Sequence, residues 1–119
     1  MCPIQAFVLI VDDSADTRAV CRGMLAAAGF AVAEASDGLV GLGLAESRRP
    51  DVILLNYEMK RMPGDEFVSR LAIACRPAPP VVAIGHRPDA GCRARVFLEK
   101  PIASGALLQA VADALTIEN

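Results

Sequence analysis

The sequence predicts an α/β domain in which helices cover both faces of a parallel β-sheet. The first observation is an alternation, along the whole chain, of short apolar runs, segments with helical spacing and turn residues. The second is that residues 6–11 form an apolar run without polar alternation, as expected for a strand buried on both faces. Alternating strands and helices are typical of a doubly wound parallel sheet.

Five strands are expected from the apolar runs. Turn-forming or charged residues bound these runs, and Pro79 and Pro80 precede the fourth. The expected strands are residues 6–11, 30–35, 52–55, 81–84 and 96–98.

Four helices are expected between and after these strands. Ser14 is the expected N-cap of a first helix that runs through Ala28 and is closed by Gly29. Two further helices are expected at residues 38–48 and 65–75. Ser104 is the expected cap of a last helix, whose apolar residues recur at helical spacing: Leu107, Leu108, Val111, Ala112 and Leu115.

Size and composition favour one domain with one core, spanning residues 1–119, because 54% of the 119 residues are apolar. No run approaches the roughly 20 apolar residues of a membrane helix. The first apolar run also lacks the basic leader of a signal peptide. The net charge of −2 gives no reason to expect general nucleic-acid binding. We therefore expect a cytoplasmic domain that binds neither membranes nor nucleic acid directly.

The four cysteines show no CxxC spacing and fit neither a zinc site nor a disulfide framework. Cys21 and Cys75 fall within apolar series of helical spacing, so we expect both in the core of a protein from a reducing compartment. Cys92 lies in an expected loop and is a candidate exposed thiol.

Five residues lie at or just beyond the ends of predicted strands. Because the carboxyl ends of parallel strands meet at one edge of the sheet, these residues are expected to form one pocket. An aspartate at position 56 could attack a phosphoryl group and hold it as an acyl phosphate. Asn56 cannot, because its nitrogen lone pair is delocalised and its oxygen carries no full charge. The expected pocket residues are Asp12, Asp13, Asn56, Gly85 and Lys100.

Four segments, taken in order, resemble the receiver domain of bacterial response regulators over essentially the whole chain. They are residues 11–14 (VDDS), 51–56 (DVILLN), 59–64 (MKRMPG) and 97–101 (FLEKP). The resemblance implies a flavodoxin-like five-stranded sheet with strand order 2-1-3-4-5. In that family an acidic pair binds magnesium and an aspartate accepts phosphate from a histidine kinase. A hydroxyl and a lysine contact the phosphate, and an aromatic ring reorients to signal.

The resemblance assigns a place to each pocket residue. Asp12 and Asp13 match the acidic pair, either as weak magnesium ligands or as caps of the first helix. Lys100 matches the lysine, either as a phosphate partner or in a structural ion pair with Asp12 or Asp13. Phe97 matches the aromatic switch, although a phenylalanine there also suits the core. Glu58 falls in the loop that gives the metal a backbone carbonyl, so its side chain has no assigned role.

The chain departs from the family pattern in its chemistry and in its length. Asn56 replaces the acceptor aspartate, Gly85 replaces the hydroxyl residue, and Lys60 stands where the family usually has proline. The 15 residues from Gly85 to Lys100 are about seven fewer than the family has, which removes roughly two turns of helix. The fourth helix of the fold is therefore expected to be shortened or absent.

Other signals favour structural roles. The glycines at positions 38, 41 and 43 fall inside an expected helix, which argues against a phosphate-binding loop. His86, the only histidine, has no paired nucleophile and is interpreted as a solvated loop residue. An arginine cluster is either a solvated rim or a contact for an acidic partner or a dinucleotide second messenger: Arg87, Arg93 and Arg95.

These observations indicate a degenerate receiver, or pseudo-receiver, that is not an enzyme and acts in two-component-type signalling through protein contacts. One alternative is a working phosphoacceptor into which Asn56 was introduced. Another is a small-ligand sensor that uses the vacant pocket or the arginine cluster. No cofactor is expected beyond weak magnesium binding, with a dissociation constant roughly in the millimolar range or worse.

The expected partner is another signalling protein (a histidine kinase, regulator or effector) or a second copy of the chain. A shortened fourth helix would leave apolar side chains of the fourth and fifth strands with less cover, and uncovered apolar patches recruit partners. The predicted contact surface combines the loop before the fifth strand, that strand and the last helix: Arg87, Arg93, Arg95, Val96, Leu98 and Leu108.

Overall fold

A central sheet of five parallel strands carries two helices on each face in the computed structural model, which describes residues 6–85 and 96–116. The strand order is β2-β1-β3-β4-β5, which confirms the order that the resemblance implied. The strands are β1 (Phe7–Val11), β2 (Ala31–Ala35), β3 (Val52–Asn56), β4 (Val81–Gly85) and β5 (Val96–Glu99). The helices are α1 (Ala15–Ala27), α2 (Gly38–Arg48), α3 (Gly64–Ala74) and α4 (Ser104–Thr116). The expected loss of a helix concerns residues 86–95, which lie outside the described residues.

The sheet separates two apolar clusters because side chains alternate along each strand. On one face, β1 residues Val8 and Ile10 pack with α1 and α4. On the other face, Leu9 and Val11 pack with α2 and α3, where Phe67 is the largest fully buried side chain. Helices therefore cover both faces of the sheet, which explains, as predicted, why the apolar runs lack polar alternation.

Local chemistry sets the helix ends. Ser14 accepts a hydrogen bond from the backbone N–H of Thr17 at 3.2 Å, which confirms the predicted N-cap. Gly29 has φ of 97°, a conformation that favours glycine after a helix. The last helix begins at Ser104 itself, so the prediction that this serine precedes the helix was wrong by one position.

Gly41 of α2 serves packing. A Cβ at Gly41 would lie 2.8 Å from Cγ2 of Val11 and 3.2 Å from the Phe67 ring, so only glycine lets the helix approach β1 this closely. A Cβ at Gly43, in contrast, would meet no atom within 4 Å. The close approach explains why a small residue stands at position 41.

The two cysteines predicted for the core are buried and free. Burial, together with the Asp12 carboxylate, raises the pKa of the Cys21 thiol to about 11. That thiol is therefore protonated at neutral pH and is a poor nucleophile. Cys92 lies outside the described residues.

The predicted contact surface is less apolar at its described residues than we expected. The β4 residues are all buried, because Val82 and Ile84 pack in the cluster with α1 and α4 and Val81 packs in the cluster on the other face, so the prediction that they lose cover was wrong. Val96, Leu98 and Leu108 are half-buried and pack against the cluster formed with α1 and α4. The large apolar side chains that are exposed in the described residues lie elsewhere: Val20, Leu39, Val40 and Ile73. The residues of the arginine cluster and His86 lie outside the described ranges.

Within residues 6–85 and 96–116, none of the helices combines the length and the apolar character that crossing a bilayer requires.

Candidate functional site

Three predicted pocket residues meet directly where β1 and β3 end. Asp12 and Asp13 follow β1, and Asn56 is the last residue of β3, which pairs with β1 in parallel. Asp12 and Asn56 are the buried polar residues of the described chain, with 1% and 6% of their surfaces exposed. The sheet register therefore brings together side chains that are 43 and 44 positions apart.

The side-chain amide of Asn56 bridges the acidic pair. Its Nδ2 lies 3.1 Å from Oδ1 of Asp12 and 3.3 Å from Oδ1 of Asp13, and donates to both. Its Oδ1 accepts from the backbone N–H of Glu58 at 3.0 Å. A rotated amide would place two donors against each other at Glu58 and an oxygen against two carboxylates, so these contacts define the orientation.

Asp12 is held by further hydrogen bonds. Its Oδ1 also accepts from the backbone N–H of Ser14 at 2.9 Å, and Nη1 of Arg18 donates to its carbonyl oxygen at 2.7 Å. Burial raises the pKa of the Asp12 carboxyl above its usual value of 3.8, and the Asp13 charge adds to the rise. The hydrogen bonds from Ser14 and Asn56 and the charge of Lys100 oppose this rise without cancelling it.

We expect Asp12→Asn to stabilise the domain at neutral pH. A carboxyl whose pKa is raised by folding adds to the stability of the folded state only while it is protonated. That contribution is lost as the pH rises through the folded-state pKa, because the buried carboxyl must then ionise. Asparagine removes this charge and keeps an oxygen that can accept from Ser14 and Asn56. Thermal unfolding followed by circular dichroism should show a higher midpoint for the variant at neutral pH. The difference should shrink as the pH falls below 3.8. A variant that is less stable at neutral pH would contradict this account.

An ion-pair network supports the pocket from outside, and sequence analysis did not identify it. Arg18 and Arg22 on α1 bind opposite oxygens of Glu34 on β2, at 3.1 and 2.8 Å. Hydrogen bonding from Arg22, then from Arg18, lowers the pKa of Glu34. Because Arg18 also binds the Asp12 carbonyl, the network joins β2 to the pocket backbone. The sequence did carry a pattern that could have indicated this network. It has two arginines four positions apart on one helix and a single acidic residue within an apolar strand.

Lys100 is joined to the site through its backbone and its charge. Its N–H donates to the carbonyl oxygen of Gly85 at 2.9 Å, which continues the β4–β5 pairing. Its charge opposes the rise in the Asp12 pKa. The ion pairs found among the described residues join Arg18 and Arg22 to Glu34, and Arg70 to Glu66, so the expected structural ion pair of Lys100 is not among them.

The groups around the acidic pair do not fit the magnesium ion that the fold implies, because an N–H donor is among them. Magnesium requires oxygen ligands in near-octahedral geometry. Here Nδ2 of Asn56 directs N–H groups between the two carboxylates and donates to Oδ1 of each. In residues 6–85 and 96–116, no three Asp, Glu, His or Cys side chains are grouped so that they could hold a metal ion. An N–H donor thus lies between the two carboxylates, where a cation would need oxygen ligands.

Gly85 is the last residue of β4, and Phe97 lies on the neighbouring strand β5, opposite Ala83. A Cβ at Gly85 would lie 3.1 Å from Cζ of Phe97 and 3.2 Å from Oε2 of Glu58, so these two side chains border the space above the glycine. The Phe97 ring meets the Tyr57 ring edge-on, with centroids 6.3 Å apart and an interplanar angle of 72°. Phe97 is half-buried and stands beside the pocket. Sequence analysis did not identify Tyr57 as part of this group.

Two concave surfaces adjoin the pocket. A cleft of about 360 Å³ opens beside Asp13, between the loops that follow β2 and β3, and carries Asp37, Lys60 and Arg61. A shallower groove of about 630 Å³ runs between α1 and the segment after β5. Its lining is mostly apolar: Asp16, Thr17, Val20, Cys21, Lys100, Pro101 and Ile102.

Comparisons with known proteins agree with this geometry. The sequence model of the response regulator receiver domain matches residues 8–112. A protein-glutamate methylesterase/protein-glutamine glutaminase of Anaeromyxobacter dehalogenans is 42% identical over 78 residues, 66% of this chain and 22% of that protein. The sensor histidine kinase CheAY of Helicobacter pylori is 38% identical over 71 residues, 58% of this chain and 9% of that protein. The match therefore spans less than a quarter of the length of either relative.

Solved structures agree as well. The chemotaxis protein CheY4 of Vibrio cholerae superposes with a TM-score of 0.84 at 30% identity, over 93% of this chain and 99% of that one. The response regulator domain of Thermotoga maritima CheB has a TM-score of 0.83 at 24% identity, over 97% and 99% of the two chains, and shows the same fold. The sequence match over residues 8–112, the shared strand order and the acidic pair at the end of β1 together show that the chain belongs to the response regulator receiver domain family.

Proposed function

We propose that this receiver domain acts in two-component signalling through protein contacts and without accepting a phosphoryl group. The observation that carries the proposal is the amide of Asn56 at the place of the acceptor, where it donates to Asp12 and Asp13 and accepts from Glu58. Every polar atom of that side chain is engaged. The amide therefore occupies the acceptor position with all its hydrogen-bonding groups paired.

The chemistry of the amide supports the same conclusion. Phosphoryl transfer to a side-chain oxygen needs a charged nucleophile or a base that generates one. Oδ1 of Asn56 carries no full charge, and its hydrogen bond with the Glu58 N–H occupies it further. An attack by this oxygen would have to break that contact and would leave an unstable cationic adduct.

Gly85 argues against a working receiver changed only at position 56. The family places a hydroxyl residue where Gly85 stands, and here Phe97 and Glu58 border the space in which a side chain would project. A receiver changed only at position 56 would still have a hydroxyl residue at position 85. Both changes together favour a domain whose phosphate chemistry has been lost.

The signalling role itself follows from the family. Receiver domains interact with kinases and effectors in signalling, and one relative is a sensor histidine kinase. We propose that this chain is a non-catalytic module of the cytoplasm. Its contact with a partner or with a second copy would use β5 and α4 together with the loop before β5. The half-buried apolar side chains Val96, Leu98 and Leu108 would then contribute their exposed edges.

Treatment with acetyl phosphate tests the loss of chemistry directly. We expect no phosphoryl adduct on the wild-type domain with magnesium present, and no change in its spectrum on adding beryllofluoride. Intact-mass spectrometry with peptide mapping provides the measurement, and an active receiver domain treated alongside confirms the reagent. A stable adduct at position 56 would overturn the proposal.

A further inference from the structure

We propose that the first turn of α2 and the loop between β3 and α3 form a second docking surface, which binds a short acidic segment of another protein that also carries apolar side chains. The central residues of this α2 surface are Leu39, Val40, Lys60 and Arg61. It belongs to the face of the sheet that α2 and α3 cover, whereas α4 covers the other face. The inference goes beyond the proposed function, which places a contact at β5 and α4.

Two large apolar side chains are exposed side by side at the start of α2. Leu39 has 65% and Val40 has 47% of its surface exposed. Leu39 lines a cleft of about 210 Å³, whose other walls come from the loop between β3 and α3 and from α3 itself. Single exposed apolar residues are ordinary, but adjacent ones beside a cleft with a polar rim are typical of a binding surface. An apolar side chain placed there would be removed from water on several sides.

Met62 joins the first turn of α2 to the loop after β3. A Cβ at Gly38 would lie 2.5 Å from Sδ and 3.0 Å from Cβ of Met62, so glycine lets the methionine lie directly against that turn. Met59 and Met62 are both buried. The cleft beside the acidic pair, of about 360 Å³, and the cleft at α2 are continuous, because both are lined by the same four residues: Asp37, Gly38, Arg61 and Met62. The α2 surface is therefore built before any partner binds.

The acidic groups that line the two clefts already have partners. Oδ1 of Asp37 caps α2 by accepting from the N–H of Val40 at 2.9 Å. Oδ1 of Asp13 accepts from the side-chain amide at the end of β3 at 3.3 Å. Glu66 forms an ion pair with Arg70 at 2.8 Å. These negative charges are therefore engaged within the domain.

Two cations of the α2 surface have no such partner. Lys60 and Arg61 are exposed, and the ion pairs found within residues 6–85 and 96–116 join other side chains. Lys60 also stands where the family usually has proline, which would bring no charge. The unmatched charge of the surface is positive, so electrostatic complementarity favours carboxylates on the occupant.

An acidic protein segment matches this combination better than a nucleic acid does. A polyanion would place phosphates against the acidic side chains of both clefts, on a chain whose net charge is −2. A segment with one or two carboxylates would pair with Lys60 and Arg61 and bury the side chain of Leu39. The apolar contact would contribute affinity, and the charges would select the partner.

The test is an NMR titration of the isotope-labelled domain with a short amphipathic peptide of glutamate and leucine. At about 1 mM peptide, where a weak docking site is occupied, we expect the amide signals of Leu39, Val40, Lys60 and Arg61 to shift. A peptide with lysine in place of every glutamate should shift them far less. The same is expected of a peptide with serine in place of every leucine.

Two pairs of variants separate this site from a general surface effect. Leu39→Ser should weaken peptide binding about tenfold, whereas Ile73→Ser, which removes a side chain that is 73% exposed on α3, should leave it unchanged. Arg61→Glu should weaken binding by about tenfold or more. Arg76→Glu makes the same charge change beyond the other end of α3 and is its control. All four positions are exposed, so the variants are expected to fold.

Three results would overturn the proposal: no binding at about 1 mM peptide, equal binding of the lysine peptide, or shifts confined to β5 and α4. A fourth is self-association. If light scattering shows a dimer that Leu39→Ser dissociates, a second copy covers the α2 surface in place of an acidic segment. These measurements are independent of the acetyl phosphate treatment, so the docking surface and the loss of phosphate chemistry can fail separately.

Discussion

Asn56→Asp is expected to make the stability of the domain depend on magnesium. The change replaces an amide that donates to two carboxylates, at 3.1 and 3.3 Å, by a third negative group. A hydrogen bond to a charged group contributes about 1.5–3 kcal/mol, and nearby like charges repel. Without a divalent cation we therefore expect the free energy of unfolding to fall by about 3 kcal/mol.

Magnesium should restore most of that loss, because three carboxylates form an oxygen-rich acidic site that suits the ion. The wild type should bind magnesium with a dissociation constant of about 1 mM or weaker, which corresponds to roughly 4 kcal/mol or less. Chemical denaturation with and without magnesium, together with titration calorimetry, measures both effects. Asn56→Asp should also be treated with acetyl phosphate, because it places an aspartate at the acceptor position. It still lacks the hydroxyl that the family uses, since Gly85 stands at that position.

The matched control is the double variant Asp13→Asn with Asn56→Asp, which has the same number of acidic groups as the wild type. It should be less destabilised than Asn56→Asp alone and should respond less to magnesium. If Asn56→Asp alone is as stable as the wild type in a chelator, the amide bridge does not hold the acidic pair together.

Gly41→Ala is expected to destabilise the domain by about 1–3 kcal/mol, the usual cost of adding a methyl group to a well-packed core. The new Cβ would meet Cγ2 of Val11 at 2.8 Å and the Phe67 ring at 3.2 Å. Both neighbours are fully buried, so neither can move away without disturbing the sheet or α3. Urea denaturation measures the loss.

Gly43→Ala, two positions along α2, separates packing from helix propensity. Its Cβ would meet nothing within 4 Å, and alanine is about 1 kcal/mol more favourable than glycine inside a helix. We expect this variant to be more stable than the wild type by up to that amount. Equal effects of the two substitutions would show that α2 does not pack against β1 as described.

Local patterns in the sequence were sufficient for the elements and for placing Asp12, Asp13 and Asn56 at one edge of the sheet. Apolar runs located the five strands, and Ser14 marked the start of α1, because burial on both faces and N-capping each act over a few neighbouring residues. The side chains at strand ends, including Asn56, could be assigned to one edge because a parallel sheet brings its carboxyl ends together. The amide at position 56 was visible in the sequence itself.

The tertiary structure alone decided what those residues do to one another. The partners of Asn56 are 43 and 44 positions away, so no local pattern could show that its amide bridges the acidic pair. The placing of Phe97 over Gly85, and the joining of Glu34 to α1, likewise depend on strand register and helix packing. The predicted loss of cover over β4 was wrong for the same reason, since Val82 and Ile84 pack with α4 on one face of the sheet and Val81 packs in the cluster on the other face. Hydrogen bonds and steric fit between distant segments are decided by distances of a few ångströms, which form only when the whole chain packs.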